Sequence, residues 1–164
     1  MIKLLVLLFG LALNVSCENP IVSLPNGQIR GRQVSAPAVE NFKYYAFLGI
    51  PYAAPPIGKL RFQAPQPHNN WEGVFEATDN SKICIQVGLK HAHASEDCLY
   101  LNVYSPDLSP LQKLPVLVFI HGGTFRRGSA FGGYKAPAFL VKEDIVVVTI
   151  NYRLGPFGNN LFFS

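Results

Sequence analysis

The sequence is 164 residues long, with 49% hydrophobic residues, 15% charged residues and a net charge of +4. These values are typical of a globular chain long enough for one domain with a core, and they exclude an intrinsically disordered protein. The basic residues are scattered and are not interleaved with a stacking platform, so we predict no nucleic-acid partner.

The first 17 residues have the three-part layout of a secretory signal peptide. Lys3 precedes an apolar run from Leu4 to Leu13, and small or polar residues follow up to Cys17. The run is shorter than the roughly 20 apolar residues that a transmembrane helix needs. We therefore predict a secreted, extracellular protein without a stable membrane span. Cleavage after Cys17 is favoured over cleavage after Ser16, because it leaves an even number of cysteines.

Cys84 and Cys98 are the two cysteines that remain after cleavage behind Cys17. Because secreted chains rarely keep free thiols, we predict a disulfide between them; two separate buried thiols are the alternative. The bond would close a loop of about a dozen residues and stabilise the fold by roughly 3 kcal/mol in the chain-entropy model.

The mature chain is predicted to open with a β-hairpin. Pro25-Asn26-Gly27 separates the short runs Ile21-Val22 and Gln28–Arg32, and Asn-Gly between extended runs is a strong hairpin signal. The residues from Phe42 to Tyr52 are aromatic and β-prone. The proline-rich stretch 55–67 that follows excludes regular helix, so we predict an ordered loop there.

Three strands and a short helix are predicted in the second half. Cys98–Tyr104 alternates with period two, which indicates a half-buried strand. Val116–Ile120 and Ile145–Ile150 are unbroken apolar runs, which predict interior strands buried on both faces of an α/β sheet. About two turns of helix are expected at Ala138–Lys142 after Pro137, so the two apolar strands should be parallel with a right-handed crossover. No repeat or linker divides the chain into several domains.

A glycine-rich segment, His121-Gly122-Gly123-Thr124, directly follows the strand Val116–Ile120. This is the carboxyl end of a strand, where α/β proteins bind ligands. Glycines permit positive φ and close approach, so successive N–H groups can converge on one developing negative oxygen. We predict an oxyanion-binding loop, with an ordinary tight turn as the alternative and a structural role for His121.

Four sequence blocks carry a specific resemblance. They are FLGIPYAAPPIGKLRF from Phe47 to Phe62, EDCLYLNVYSP from Glu96 to Pro106, PVLVFIHGGTFRRGS from Pro115 to Ser129, and VVTINYRLGPFG from Val147 to Gly158. In this order they resemble the N-terminal portion of the type-B carboxylesterase and cholinesterase family, a branch of the α/β-hydrolase superfamily. The resemblance covers residues 18–158, and the tail 159–164 diverges from the family pattern.

The resemblance implies the first part of an α/β-hydrolase fold: a mixed, mostly parallel sheet with an N-terminal hairpin. It also implies a Cys84–Cys98 bond and, in complete members, hydrolysis of small-molecule carboxylic esters. The oxyanion donors would be the backbone amides of Gly123 and Thr124, with Gly122 shaping the turn and a further donor following the nucleophile. No cofactor and no metal are expected.

Two departures from the family pattern bear on activity. Thr124 stands where relatives usually carry glycine or alanine, and a β-branched side chain restricts the backbone. The nucleophile-elbow pattern GxSxG occurs nowhere in the sequence, so no catalytic residue is assigned. We predict a part of a secreted serine esterase that is inactive alone. The alternative is a non-catalytic cholinesterase-like protein used for adhesion or ligand binding.

Other polar residues are given structural roles. His91 and His93 are predicted to be solvated loop residues, because catalytic zinc requires three protein ligands and no third one is positioned by the sequence. Glu96 and Asp97 are predicted to make local structural contacts.

Overall fold

The computed structural model describes residues 19–40, 42–79, 82–88, 94–130 and 137–158. The predicted signal peptide, His91, His93 and the tail 159–164 lie outside the described residues. The described strands and helix are β1 (Ile21–Leu24), β2 (Gly27–Arg30), β3 (Arg32–Ala36), β4 (Phe42–Pro51), β5 (Val74–Glu76), β6 (Ile83–Cys84), β7 (Ala94–Ser95), β8 (Tyr100–Ser105), β9 (Val116–Ile120), α1 (Ala138–Val141) and β10 (Val146–Ile150). Short 3₁₀ turns lie at Gly58–Leu60 and Gly155–Phe157.

The predicted hairpin at the start of the mature chain is present. β1 and β2 pair antiparallel with Leu24 opposite Gly27, and β2 pairs parallel with β5 to complete a three-stranded sheet. Gly27 has φ +140°, and a Cβ there would lie 2.6 Å from the Trp71 indole nitrogen. The turn therefore needs glycine for two reasons, its backbone angle and the indole packed against it.

A five-stranded sheet with the order β3-β4-β8-β10-β9 forms the centre of the molecule. The pairs β3–β4, β4–β8 and β8–β10 are antiparallel, and β9–β10 is parallel. The predicted mixed sheet of a partial α/β-hydrolase fold is confirmed, but the prediction that it is mostly parallel is wrong for the described strands, because all pairs there except β9–β10 are antiparallel. Its parallel part within the described strands is the pair β9–β10, which the sequence predicted from the intervening helix.

Strand β4 is buried because both of its faces are covered. On one face Tyr44, Ala46 and Leu48 pack with Ala138 and Val141 of α1. On the other face Phe47 and Ile50 pack with Ile29 and Ala77, which come from the three-stranded sheet and the residue after it. A register shift against β8 lies between Phe47 and Ile50. The strand thus joins the two main clusters of the core.

Strand β9 corrects one sequence prediction. Val116–Ile120 was expected to be buried on both faces, but its five side chains are between 36% and 62% exposed. Within the part of the chain that the structure describes, β9 is the last strand of its sheet and pairs with β10 alone. An apolar run shows that a strand suits an interior position, whereas burial requires neighbours on both faces.

The predicted Cys84–Cys98 disulfide is present, with the two Cα atoms 4.9 Å apart. Its sulfur atoms lie in a buried cluster with Ala53, Leu99 and Leu154. None of the described helices is long and apolar enough to cross a membrane.

Candidate oxyanion site

The glycine-rich loop leaves the sheet at the carboxyl end of β9, where Ile120 pairs with Ile150 of β10. Gly123 has φ +126°, and a Cβ at this position would lie 1.8 Å from the carbonyl oxygen of Arg127. The amides of Arg126 and Arg127 both donate to the carbonyl of Gly123, at 3.0 and 3.2 Å. These bonds close a tight turn that only glycine can occupy at position 123.

Three successive amides of this loop are free to bind a ligand. Within the described residues, no hydrogen-bond acceptor lies against the backbone N–H groups of Gly122, Gly123 and Thr124. Gly122 is also open, since a Cβ placed there would meet no atom within 4 Å. Unpaired amides grouped at the end of a strand can donate to an anion, and stabilisation of an oxyanion requires such donors.

Thr124 adopts a conformation that is unfavourable for a β-branched residue. Its φ is +53°, and Phe125 follows with φ +56°. Left-handed backbone costs about 1–2 kcal/mol per residue for side chains with a Cβ. The Thr124 hydroxyl donates to the carbonyl of Gly123 at 2.7 Å, and the Phe125 carbonyl accepts from the Gly155 amide at 2.8 Å. Local hydrogen bonds therefore hold a strained turn in place.

His121 lies beneath the loop and is 7% exposed. Its ring stacks on Tyr152 with centroids 4.4 Å apart, and the Tyr152 hydroxyl donates to the His121 carbonyl at 2.7 Å. Nδ1 lies 2.9 Å from the Gly122 carbonyl, while Nε2 has no hydrogen-bond partner among the described residues. These contacts agree with a structural role for His121, which ties the start of the loop to the segment after β10.

The end of the loop is held by three amide side chains that sequence reasoning missed. Gln86 pairs with the backbone of Gly128, Asn151 accepts from the Ala130 amide at 2.7 Å, and Asn102 lies 3.5 Å from the Ala130 carbonyl. Asn102 and Asn151 are 1% and 3% exposed. A signal for Asn102 existed, because it is a polar residue in the middle of a strand-forming run. No local pattern revealed its partners.

The adjacent acids Glu96 and Asp97 point to different partners. Glu96 forms two hydrogen bonds with Arg61, at 2.5 and 2.6 Å. Asp97 contacts the ammonium of Lys82 and accepts from the Tyr100 hydroxyl at 2.9 Å. Burial alone would lower the pKa of Lys82, but its hydrogen bonds to Asp97 and Tyr100 outweigh burial and raise that pKa. The two carboxylates thus make structural ion pairs and are not oriented as a catalytic pair.

A cavity of about 190 Å³ lies near the end of the loop and is bordered by Lys82, Tyr100, Asn102, Ala130 and Asn151 among others. Gly122, Gly123 and Thr124 do not line it, so it is separate from the oxyanion site. Across the described residues, no three His, Cys, Asp or Glu side chains lie together to hold a metal ion.

Comparison with known proteins gives the same family throughout. The model of the carboxylesterase family matches residues 18–164. A juvenile hormone esterase of Tribolium castaneum is 45% identical over 119 residues, covering 70% of this chain and 20% of that protein. A para-nitrobenzyl esterase of Bacillus subtilis is 42% identical over 146 residues, covering 84% of this chain and 28% of that protein. Mouse carboxylesterase 1F is 40% identical over 179 residues, covering 96% of this chain and 31% of that protein.

Solved structures agree with the sequence relatives. A carboxylesterase of Geobacillus stearothermophilus superposes with a TM-score of 0.73 at 39% identity, covering 84% of this chain and 27% of that one. A PNB esterase superposes with a TM-score of 0.74 at 43% identity, covering 85% of this chain and 28% of that one. The chain spans about a fifth to a third of the length of these relatives. By its family model, its relatives and its fold, the chain belongs to the carboxylesterase family.

Proposed function

We propose that this chain supplies the oxyanion-stabilising portion of a secreted carboxylic-ester hydrolase, with Gly122, Gly123 and Thr124 as the site. The observation that carries the proposal is the run of three N–H groups at the carboxyl end of β9 that have no acceptor among the residues the structure describes. Membership of the carboxylesterase family supports the same chemistry. The substrates are small-molecule carboxylic esters, the class to which the names of the relatives point.

The chemistry follows from the position of the donors. When a nucleophile attacks an ester carbonyl, the carbonyl oxygen takes on negative charge, and preorganised N–H groups stabilise it without reorganisation. Gly123 and Thr124 donate from this chain, and in this class of hydrolase a further donor follows the nucleophile. Loss of one such donor typically lowers kcat by roughly 10²–10³-fold.

Thr124 is compatible with this role despite its β-branched side chain. Its hydroxyl is already committed to the Gly123 carbonyl at 2.7 Å, so it turns back onto the loop. Its backbone is left-handed, with φ +53°. The N–H groups on either side of Thr124 therefore do not point in the directions that they would have in an extended strand. The strain at Thr124 is thus part of the loop geometry, as is common at functional sites.

The same reasoning predicts no turnover by the chain alone. An oxyanion arises only after a nucleophile attacks, and the sequence contains no GxSxG. Purified secreted chain should neither hydrolyse a short-chain aryl ester nor react with a serine-directed fluorophosphonate. Stoichiometric labelling of a serine such as Ser129, with turnover abolished by the label, would contradict this proposal.

A second candidate function is non-catalytic adhesion or ligand binding, since one fold can host proteins of different functions. Sequencing the transcript beyond the codon for Gly158 separates the two candidates. GxSxG downstream supports the hydrolase, and a family-like continuation without it supports the binding protein.

The oxyanion role itself is tested by Gly122→Ala in the longer protein that carries the nucleophile. The structure accommodates this alanine, because nothing lies within 4 Å of the added Cβ. A fall in kcat therefore reports obstruction of the reacting carbonyl and not loss of the fold. Gly73→Ala controls for destabilisation away from the site, since Gly73 also has open space around it but lies at φ +70° in a turn before β5, where any Cβ is strained. Unchanged kcat in Gly122→Ala would contradict the assignment.

A further inference from the structure

Gln86 makes a two-point contact with the glycine-rich loop. Its side-chain nitrogen donates to the Gly128 carbonyl at 2.8 Å, and its side-chain oxygen accepts from the Gly128 amide at 2.8 Å. The same nitrogen also donates to the Cys84 carbonyl at 3.1 Å. Both ends of the Gln86 amide are therefore used, across a sequence separation of 42 residues from Gly128.

Gly128 in turn lies directly against the start of the loop. A Cβ at Gly128 would be 2.2 Å from Nδ1 of His121 and 2.6 Å from the carbonyl oxygen of Gly122. Its φ of +125° is also in the region that favours glycine. Any movement of Gly128 toward His121 or Gly122 is blocked by these contacts, so its position constrains the backbone that carries the free amides.

The other end of this connection is rigid. Gln86 follows the Cys84–Cys98 disulfide by two residues, and both cysteines are at most 2% exposed. A buried cross-link next to a side chain limits the freedom of the backbone that presents it. A continuous series of contacts therefore connects the disulfide to Gly122 through Gln86 and Gly128.

We propose that Gln86 is a positioning residue for the oxyanion loop, holding Gly128 so that the turn at Gly123 keeps its shape. The proposal rests on the function proposed above for Gly122, Gly123 and Thr124. Gln86 does not touch the reacting atoms. It acts through Gly128, and the disulfide anchors it.

The first test is residue-resolved hydrogen exchange on the monomeric fraction of the chain, isolated by size-exclusion chromatography, with and without Gln86→Leu. The amides of Arg126 and Arg127 close the turn at Gly123 and are its reporters. We expect each to exchange about tenfold faster, the effect of weakening one ordinary hydrogen bond. Gln66→Leu is the matched control, because Gln66 is an exposed glutamine whose side chain, among the described residues, donates to the Ala64 carbonyl of its own loop and does not reach the glycine-rich loop. Faster exchange at Gly128 alone would contradict the proposal.

Gln86→Glu provides a readout that general destabilisation does not move. Its carboxylate can accept from the Gly128 amide but cannot donate to the Gly128 carbonyl. Lowering the pH through the glutamate pKa, ordinarily about 4.3, restores a donor. The excess exchange at Arg126 over wild type, compared at the same pH, should therefore disappear on acidification. If the β10 amides of Gln86→Leu also lose protection from exchange, that variant has not folded, and the isosteric variant Gln86→Glu decides the test. An excess exchange in Gln86→Glu that does not change with pH would overturn the proposal.

The kinetic test uses the longer protein that carries the nucleophile. Gln86→Leu should lower kcat about tenfold and leave KM within about twofold, because a displaced donor weakens transition-state binding more than substrate binding. A rise in KM with unchanged kcat would contradict a positioning role. If the wild-type protein hydrolyses no ester, the proposed function fails, while the exchange experiment still decides whether Gln86 holds the loop.

Discussion

Strands β9 and β10 have almost the same composition but opposite environments. VLVFI and VVVTI are both five residues long, pair with each other and run parallel. Val147 of β10 is 3% exposed, whereas Val118 of β9 is 55% exposed. β10 lies between β8 and β9, and β9 has one strand neighbour among those described. Composition therefore predicts a strand, and the position in the sheet sets its burial.

The contrast continues past the ends of the two strands. β10 is followed by Asn151, whose side chain bonds to the Ala130 amide and the Lys82 carbonyl. β9 leads into the loop with the free amides of Gly122, Gly123 and Thr124. The carboxyl end of β10 is thus held by side-chain hydrogen bonds, whereas within the described residues the N–H groups after β9 have no acceptor. A stable frame beside unpaired donors is what a preorganised site requires.

The largest predicted effect comes from placing a charge in each strand. Val147→Asp should abolish folding, because it buries an unpaired carboxylate in the core. Val118→Asp should instead raise the soluble monomer fraction, because it interrupts an exposed apolar strand that we expect to make the isolated chain aggregate. Size-exclusion chromatography of the expressed chain measures both. A wild-type chain that is already a monomer with one sharp unfolding transition would contradict the expectation for β9.

Removal of the Asn151 side chain should have the next largest effect. Asn151→Ala leaves the Ala130 amide and the Lys82 carbonyl without their partners at 2.7 and 2.9 Å. Two orphaned groups should lower the free energy of unfolding by about 2–4 kcal/mol. Resistance to protease of the chain displayed on yeast provides the measurement. Asn70→Ala, at an exposed position, is the control and should remain close to wild type.

Truncation of one valine in each strand sharpens the comparison without introducing charge. Val147→Ala should lower the free energy of unfolding by about 2 kcal/mol, from lost burial and a residual cavity. Val118→Ala should cost less than about 0.5 kcal/mol in the same assay, because its side chain is largely solvated. Equal losses at the two positions would mean that β9 is covered in solution.

The smallest effect is expected at Thr124. Thr124→Gly releases left-handed strain of about 1–2 kcal/mol but increases the entropy of the unfolded chain by about 0.4–1 kcal/mol. The net gain in unfolding free energy should therefore lie between about 0 and 1.6 kcal/mol in the protease assay. Gly123→Ala is the opposite case and should be destabilising, because the added Cβ would meet the Arg127 carbonyl at 1.8 Å.

Much of the local structure followed from sequence patterns. Asn26-Gly27 predicted the first hairpin, the run from Phe42 predicted β4, and the cysteine count predicted the Cys84–Cys98 bond. Each of these predictions depends on residues close together in the sequence or on pairing the two remaining cysteines. The assignment of Gly122, Gly123 and Thr124 as oxyanion donors stays a prediction, supported by the free amides but tested only by the experiments above.

The support of the site could not be found in this way. Gln86 and Gly128 are separated by 42 residues, and Asn102 and Thr149 by 47. A polar side chain within an apolar run indicates that a partner must exist, since a buried amide without one is costly. It does not say which backbone group supplies it.

The amino-acid order was sufficient for β1, β2, β4, β8, β9 and β10, the cross-link and the family, because backbone preference and side-chain period act over a few residues. Tertiary packing decided three other features: the exposure of β9, the position of the loop amides beside the carboxyl end of β10, and the hydrogen bonds between Gln86 and Gly128. These features depend on which distant segments meet in space, and that is set by the arrangement of the sheets around the core.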